Sequence, residues 1–369
     1  MSLIASTSML RSALLKRGPV GARFLQTTGV APAFAFDIDG VLKQGENVLP
    51  EAKEALQILT GNNRTSTKFP FICVTNGGGT IELARSQKLT KELGVEVAEH
   101  QIVQSHTIFR PLAVKYGDKP VLVVGGLSNR CRLVAEAYGF KHAYIPPTER
   151  ELQYVKRDVD FSKIEFAAVL VFHDSMDWGR DLQLVLDLVR SEKGVFGTHK
   201  DVKDPSLWTA ENQLPVYFSN PDMLWGNEWS QPRFGQGALQ TSIAAVFKEV
   251  TGYNLHRTTG GKPSKATYDY SSSLLFSAIQ AAREGHSNID LHGKTSPTFD
   301  GRVYMVGDNP ASDIAGANGF GWESILVRTG VFRGKDENDA AHKPTIIQPN
   351  VLEGVRWALE REGFGHVLP

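Results

Sequence analysis

Cysteine is nearly absent: among 369 residues only Cys73 and Cys131 carry thiols. Two are too few for a disulfide framework or a cysteine-built zinc site, and a reducing compartment suits such a chain. An excess of either charge is also missing, because Lys+Arg and Asp+Glu number 40 each. That balance argues against the broad basic surface that nucleic-acid phosphates require, so nucleic acid is set aside as a partner. No run approaches the ~18 apolar residues of a membrane-spanning helix, and no transmembrane segment is expected. The scattered histidines show no metal-ligand spacing. What is present is 41% hydrophobic residues and 35 glycines, in a length that suits two domains at roughly 100–200 residues each.

One local absence carries more information. From Met1 to Phe36 there is no acidic residue, whereas Arg11, Lys16, Arg17 and Arg23 stand among serines and threonines. Acid-free, Arg-containing and Ser-rich composition is that of a mitochondrial transit peptide, and Arg11 interrupts the apolar stretch a secretory signal needs. Residues 1–30 are therefore read as a leader, with mitochondrial (matrix) localisation. Removing its four cations leaves 36 basic against 40 acidic residues, a formal charge of −4, so the global balance conceals a cationic leader and a mildly acidic remainder.

The rest alternates short apolar runs with helical patterns, the signature of a parallel sheet covered by helices. Three runs stop abruptly in polar residues. Ala33-Phe34-Ala35-Phe36 ends at Asp37-Ile38-Asp39-Gly40, the run over 69–74 ends at Thr75-Asn76-Gly77-Gly78-Gly79, and the run over 303–306 ends at Gly307-Asp308-Asn309-Pro310. In an open α/β sheet, ligands bind beyond the carboxyl ends of the strands. A fourth element, Gly261-Lys262-Pro263-Ser264, opens a helical stretch reaching about Arg283, with Pro263 expected in the first turn. Together these supply carboxylates, a hydroxyl, an amide, one ammonium and exposed backbone donors, the parts that phosphoryl transfer uses. The hard cation would be Mg²⁺, with Asp37 and Asp308 as its natural ligands. Asp37 is equally able to attack phosphorus and form an aspartyl phosphate. Asp39 would protonate the departing alkoxide and then activate water, an effect worth ~10²–10⁴ in rate.

These residues resemble the motifs of the haloacid dehalogenase superfamily: FDIDGVL the first, VTNGGG the second, GKPS the third and VGDNPASDI the fourth. The last two resemble the branch of pyridoxal, phosphoglycolate and p-nitrophenyl phosphatases. VVGG, FSNPD and PRFGQGAL look most like the cat eye syndrome critical region protein 5 family. The resemblance implies an α/β fold with a Rossmann-like parallel-sheet core and an inserted α/β cap domain. It implies that Asp37 is the nucleophile and Asp39 the acid/base, that Thr75, Asn76 and Gly77 hold the phosphoryl group, and that Lys262 neutralises charge. Mg²⁺ would be held by Asp37, Asp308 and the Asp39 carbonyl, with Asn309 and Asp313 orienting the site behind them. Family members that cleave halides lack the second Asp, so Asp39 marks a phosphatase. One departure stands out: the branch usually has Asn or a small polar residue after Thr-Asn, where this chain has three glycines.

About 186 residues separate Asn76 from Lys262, enough for a domain of their own. Strands near 121–124, 167–172 and 214–218, each followed by a helix (129–138, 180–192 and 238–251), give an α/β cap placed at 108–256, with the core at 31–107 and 257–369. Asn220 and Asp222 are its candidates for reading the substrate, while His173, Trp178, Arg180 and Arg233 are weaker ones. Residues 286–300 read as a mobile surface insertion, and 351–360 as a terminal helix. The expected activity is Mg²⁺-dependent hydrolysis of a small phosphorylated metabolite, of the glycerol phosphate, phosphoglycolate, pyridoxal phosphate or nucleoside monophosphate class. Two alternatives stand beside it: a non-catalytic phosphometabolite-binding protein, and phosphotransfer to an acceptor alcohol in glycerophospholipid metabolism. A homodimer is left open.

Overall fold

The structure, a computed structural model, describes residues 30–146, 155–156, 159–225, 231, 233–286, 289, 291 and 299–369. The leader expected at 1–30 lies almost wholly outside them. Two parallel sheets organise the chain. The first has six strands in the order Ile346–Gln348, Glu323–Val327, Val303–Gly307, Ala33–Phe36, Phe71–Val74 and Ile102–Val103. Numbered along the chain this is 6-5-4-1-2-3, the doubly wound order, with its switch point between Ala33–Phe36 and Val303–Gly307.

The strand sequences explain how the layers form. Successive side chains on a strand point to opposite faces, so Phe34 and Phe36 join helices Pro50–Leu59 and Val351–Arg361 on one side. Ala33 and Ala35 face the other way, where their small volume admits Tyr268, Tyr270, Leu274 and Leu275 of helix Lys265–Glu284. Both faces are covered, which is why these strands read as continuous apolar runs rather than alternating ones.

The second sheet has five strands in the order Thr258–Thr259, Val216–Phe218, Ala168–Val171, Val121–Val124 and Ala143–Tyr144, all parallel. Helices Trp178–Arg190 and Gln236–Thr251 cover one face and Arg130–Tyr138 the other. Its switch point lies between Val121–Val124 and Ala168–Val171. There Gly125, at φ +97°, passes so close to His173 that a Cβ would sit 2.0 Å from the His173 carbonyl oxygen.

Several expected boundaries move. The cap sheet takes its edge strand from Thr258–Thr259, beyond the boundary placed at 256, because two threonines following Tyr217 and Phe218 in register complete it. Pro263 does not open the long helix: Ser264 caps it, its side chain accepting from the Thr267 N–H, and the helix begins at Lys265. Serine wins here because its oxygen satisfies an orphan donor of the first turn. The insertion at 286–300 falls mostly outside the described residues, yet Ile289, Leu291 and Phe299 pack against the Tyr270 face of the core, so its ends are anchored rather than free on the surface. Among the described residues no helix is long and apolar enough to cross a membrane.

Candidate active site

The three polar strand ends do converge. Asp37 continues the first strand, its N–H donating to the Val306 carbonyl at 2.9 Å. The chain then turns tightly, Leu42 and Lys43 both donating to the Ile38 carbonyl. Gly40 holds φ +82°, and a Cβ there would stand 2.4 Å from Asp308 Oδ2. Gly330 approaches the same carboxylate from the other side. Two glycines thus make the space Asp308 occupies, and the Val331 N–H fixes its Oδ2 at 2.6 Å.

Lys262 lies at the centre, 1% exposed. Its Nζ is 2.8 Å from Asp37 Oδ1 and 2.7 Å from Asp313 Oδ1. Asp313 uses its other oxygen to accept from the backbone N–H groups of Asp308 and Asn309, at 3.1 and 3.0 Å. Asn309 caps the turn that carries Asp313, accepting from the Ala311 N–H. Burial alone would depress the Lys262 ammonium, but Asp313 and Asp37 outweigh it and hold the group above its ordinary value. The carboxylates respond in the opposite sense. Burial raises Asp37 well above the usual carboxylate range against the pull of Lys262, with Asp313, Asp308 and Asp39 adding repulsion. Burial and the Asp313 charge push Asp308 up to about 7.

Asp37, Asp308 and Asp313 present oxygens within 4.8 Å of one another. An excess of buried carboxylates over ammonium groups, all hard oxygen donors, is the chemistry that a small divalent cation relieves. Asp313 was expected behind the metal ligands and stands in the same cluster, though its oxygens are already used on Lys262 and the backbone. The exposed carboxylate of Asp39 is not part of the cluster. It faces the second motif, where a Cβ on Gly77 would be 3.8 Å from its Oδ2.

That second motif also joins the core to the cap. The Thr75 hydroxyl accepts from the Gly77 N–H at 3.0 Å and retains its own proton to donate. Asn76 differs from the expectation that its amide holds the phosphoryl group. Its Oδ1 accepts from the Lys262 N–H at 2.7 Å, and its Nδ2 donates to the Lys262 carbonyl and to Asp222 Oδ2, both at 3.0 Å. An amide has two hydrogens, and both are engaged within the protein, so Asn76 ties the lysine loop to the cap. Asn220 completes the tie by donating to the Asn76 carbonyl at 3.0 Å, while its Oδ1 accepts from the Asp222 N–H.

The three glycines have a packing reason. An added Cβ at Gly77 would meet Thr75 Oγ1 at 3.3 Å, at Gly78 it would meet His106 at 2.7 Å, and at Gly79 (φ +86°) it would meet His173 at 2.6 Å. The loop is bare because two stretches of the core, at Thr75 and His106, and the cap, at His173, all reach it. Of the weaker cap candidates, His173 is thereby brought to the glycine loop. Arg180 pairs with Asp181 at 2.8 Å, Trp178 packs on Phe234, and Arg233 belongs to a two-stranded ribbon, Leu224–Trp225 with Arg233–Phe234.

Sequence reasoning missed the cluster behind this loop. Glu82, buried at the start of helix Glu82–Leu93, accepts from the Thr107 hydroxyl at 2.6 Å, from Arg110 at 2.9 Å and from Tyr138 of the cap. No pattern along the chain announces it, since the partners lie up to 56 residues apart. Tyr138 donates to Glu82, so His106 Nδ1 donates to the Tyr138 oxygen at 2.8 Å. His106 Nε2, buried against Gly78, has no hydrogen-bond partner among the described residues. Burial lowers this imidazole to about 4 despite Glu82, with His173 and Arg110 adding repulsion.

A pH effect follows. Between about 6.5 and 4 the unfolded chain protonates this histidine and the native state does not, so stability falls as pH drops through that window, by roughly 2 kcal/mol at pH 5. Melting at pH 7.5 and pH 5 is expected to show a smaller acid-induced drop for His106→Asn than for the unaltered protein. Equal drops would remove His106 as the cause.

Comparison with known proteins agrees with this architecture. A haloacid dehalogenase-like hydrolase family model matches residues 34–141 and a HAD-hydrolase-like model matches 259–354. The chain is 38% identical over 366 residues to mitochondrial hydrolase YKR070W of Saccharomyces cerevisiae, covering 93% of this chain and 99% of that protein. It is 43% identical over 343 residues to a cardiolipin synthase (CMP-forming) / mitochondrial hydrolase fusion protein of Schizosaccharomyces pombe. That match covers 89% of this chain but 53% of the fusion, about half its length. The 4-nitrophenylphosphatase of Thermotoga maritima shares the fold at a TM-score of 0.57 and 21% identity, over 88% of this chain and 97% of that one. The chain belongs to the haloacid dehalogenase-like hydrolases.

Proposed function

We propose that this protein is a Mg²⁺-dependent phosphomonoesterase of mitochondria that hydrolyses a small phosphorylated metabolite. One observation carries the reading: a single buried ammonium 2.8 Å from Asp37 and 2.7 Å from Asp313, beside Asp308, at the switch point of a doubly wound sheet. In this mechanism Asp37 attacks phosphorus, the P–O bond to the alcohol breaks, and Asp39 gives its proton to the leaving oxygen. Asp39 then takes a proton from water as that water attacks the aspartyl phosphate, returning Asp37 and releasing phosphate. Lys262 holds Asp37 in line throughout, and the Thr75 hydroxyl donates to a phosphoryl oxygen. Asp37, Asp308 and the Asp39 carbonyl would hold Mg²⁺, which when bound neutralises charge on the phosphoryl oxygens. Asn76, Asn220 and Asp222 keep the cap seated so that the reaction is screened from bulk water.

The acid-free leader and the mitochondrial hydrolases among the relatives support a mitochondrial location, and we place the protein in the matrix. Kinship with the cat eye syndrome critical region protein 5 family rests on the matching stretches VVGG, FSNPD and PRFGQGAL. The fusion of such a hydrolase to a cardiolipin synthase favours an ester of a glycerol-type alcohol among the candidate substrates. Phosphate release from a metabolite panel, before and after chelation with EDTA, tests the proposal. Turnover is expected to fall at least ~100-fold on chelation and to return with Mg²⁺. Turnover indifferent to chelation would sink the metal-dependent mechanism.

A further inference from the structure

We infer that the leaving-group side of the site is built for an uncharged amphipathic alcohol, with hydroxyl donors next to the ester oxygen, an apolar body beyond, and no second anionic group. The inference rests on the phosphomonoesterase reading and adds what the phosphate is attached to.

Two neighbouring parallel strands of the cap, Ala168–Val171 and Val216–Phe218, end above the glycine loop. The loop after the first carries His173, whose ring covers Gly79, and then Asp174. The loop after the second carries Asp222, whose Oδ2 is 3.0 Å from Asn76 Nδ2. The surface nearest the phosphoryl group is therefore acidic. Asp174 Oδ1 is buried and has no hydrogen-bond partner among the described residues. Burial raises both carboxylates; at Asp222 the Asn76 hydrogen bond and the Lys262 charge pull the other way, while Asp313 and Asp174 add to the rise. A counter-charge candidate, His173, lies 3.9 Å from Asp174, and burial holds its imidazole below its ordinary value against the pull of that carboxylate. A substrate hydroxyl placed here finds acceptors, whereas a substrate carboxylate or second phosphate meets like charge.

Farther out, the same two loops turn apolar. Met176 is 60% exposed, and Met223 and Leu224, directly after Asp222, are each 51% exposed. Phe234, 68% exposed, is opposite Leu224 in the ribbon and packs on Trp178, closing one loop against the other. Trp225 and Arg233 form the next pair of that ribbon and point to its opposite face. Exposed apolar groups carried on the two segments that follow Asp174 and Asp222, joined by the Trp178–Phe234 contact, mark a binding surface rather than scattered surface residues. Their continuity with Asp174 and Asp222 assigns that surface to the tail of the alcohol.

Two series of esters test this. With ethyl, butyl, hexyl and octyl phosphate, kcat/KM is expected to rise about 2- to 4-fold per methylene until the rim is covered. Ethyl phosphate should be preferred over phosphoglycolate by at least ~10-fold, since the two differ in the carboxylate. Phe234→Ser should compress the octyl-to-ethyl ratio about 10-fold, and Asp174→Asn should narrow the ethyl-to-phosphoglycolate ratio. A flat alkyl series, or phosphoglycolate at parity, overturns the inference. So does a Phe234→Ser variant whose mass by light scattering drops while its alkyl ratio stays intact, because the rim would then belong to a second copy of the chain. If no ester is cleaved, p-nitrophenyl phosphate included, the phosphomonoesterase reading has itself failed.

Discussion

Asp37→Asn is expected to lower kcat by a factor on the order of 10⁴–10⁶, the scale seen when a nucleophile is deleted from an otherwise intact site. Asparagine has nearly the same shape but no carboxylate oxygen able to form an acyl phosphate. The substitution is expected to leave the fold in place. Burial and three neighbouring carboxylates raise Asp37 well above the usual range, against the pull of Lys262. An ionised Asp37 at neutral pH therefore costs the native state free energy, and a neutral amide removes that cost. Lys262 keeps Asp313 as a partner at 2.7 Å. Turnover should collapse while Tm holds or rises. A variant within tenfold of the unaltered rate would remove Asp37 as the nucleophile, and a lost rate accompanied by a much lower Tm would point to misfolding.

The parts of this site that were legible in the sequence are those set by local chemistry. Ala33–Phe36 and Val303–Gly307 are short apolar strands that pass into acidic residues, and the abruptness of that change announces a strand end facing a ligand. The glycines were visible, but the reason for them was not. Nothing local tells that His106 and His173 occupy the space beside Gly78 and Gly79. The same holds for Asn76, whose side-chain hydrogen bond to Asp222 spans 146 residues and ties the loop to the cap. Two-residue strands such as Thr258–Thr259 are too short to show a period, so the cap edge escaped notice. Glu82 illustrates a deeper limit. A glutamate in a first helical turn reads as a solvated, dipole-compensating residue. Here burial would raise its pKa, yet His106, Thr107, Tyr138 and Arg110 together hold it below the ordinary value. Such a group becomes a cap-to-core tie through partners that only the folded chain assembles.

Lys262→Met should be the single change in the site most damaging to stability, because it removes the one charge that reconciles the carboxylates around it. The side chain is 1% exposed, so water cannot take over its role. Deleting one partner of a buried charge pair costs about 3–5 kcal/mol, since the remaining charges are left unpaired. Here two are left, Asp37 and Asp313. At roughly 2–4 °C per kcal/mol for chains of 150–250 residues, Tm is expected to fall by about 10 °C. Activity should fall by at least ~10²–10³, the scale for losing one preorganised electrostatic group. The sign of the pH dependence is fixed by the same argument. Without the ammonium Asp37 loses the charge that opposes its burial and is raised further, so the variant is weakest where Asp37 is ionised, and its deficit shrinks as acid neutralises it. Adding Asp313→Asn to Lys262→Met should recover part of the loss, and a double-mutant cycle should give a coupling of about 1–3 kcal/mol. If Lys262→Met melted within a degree or two of the unaltered protein and the two changes were additive, the lysine would be a bystander. The expected result makes it both the structural keystone of the carboxylate cluster and the group that holds Asp37 for attack.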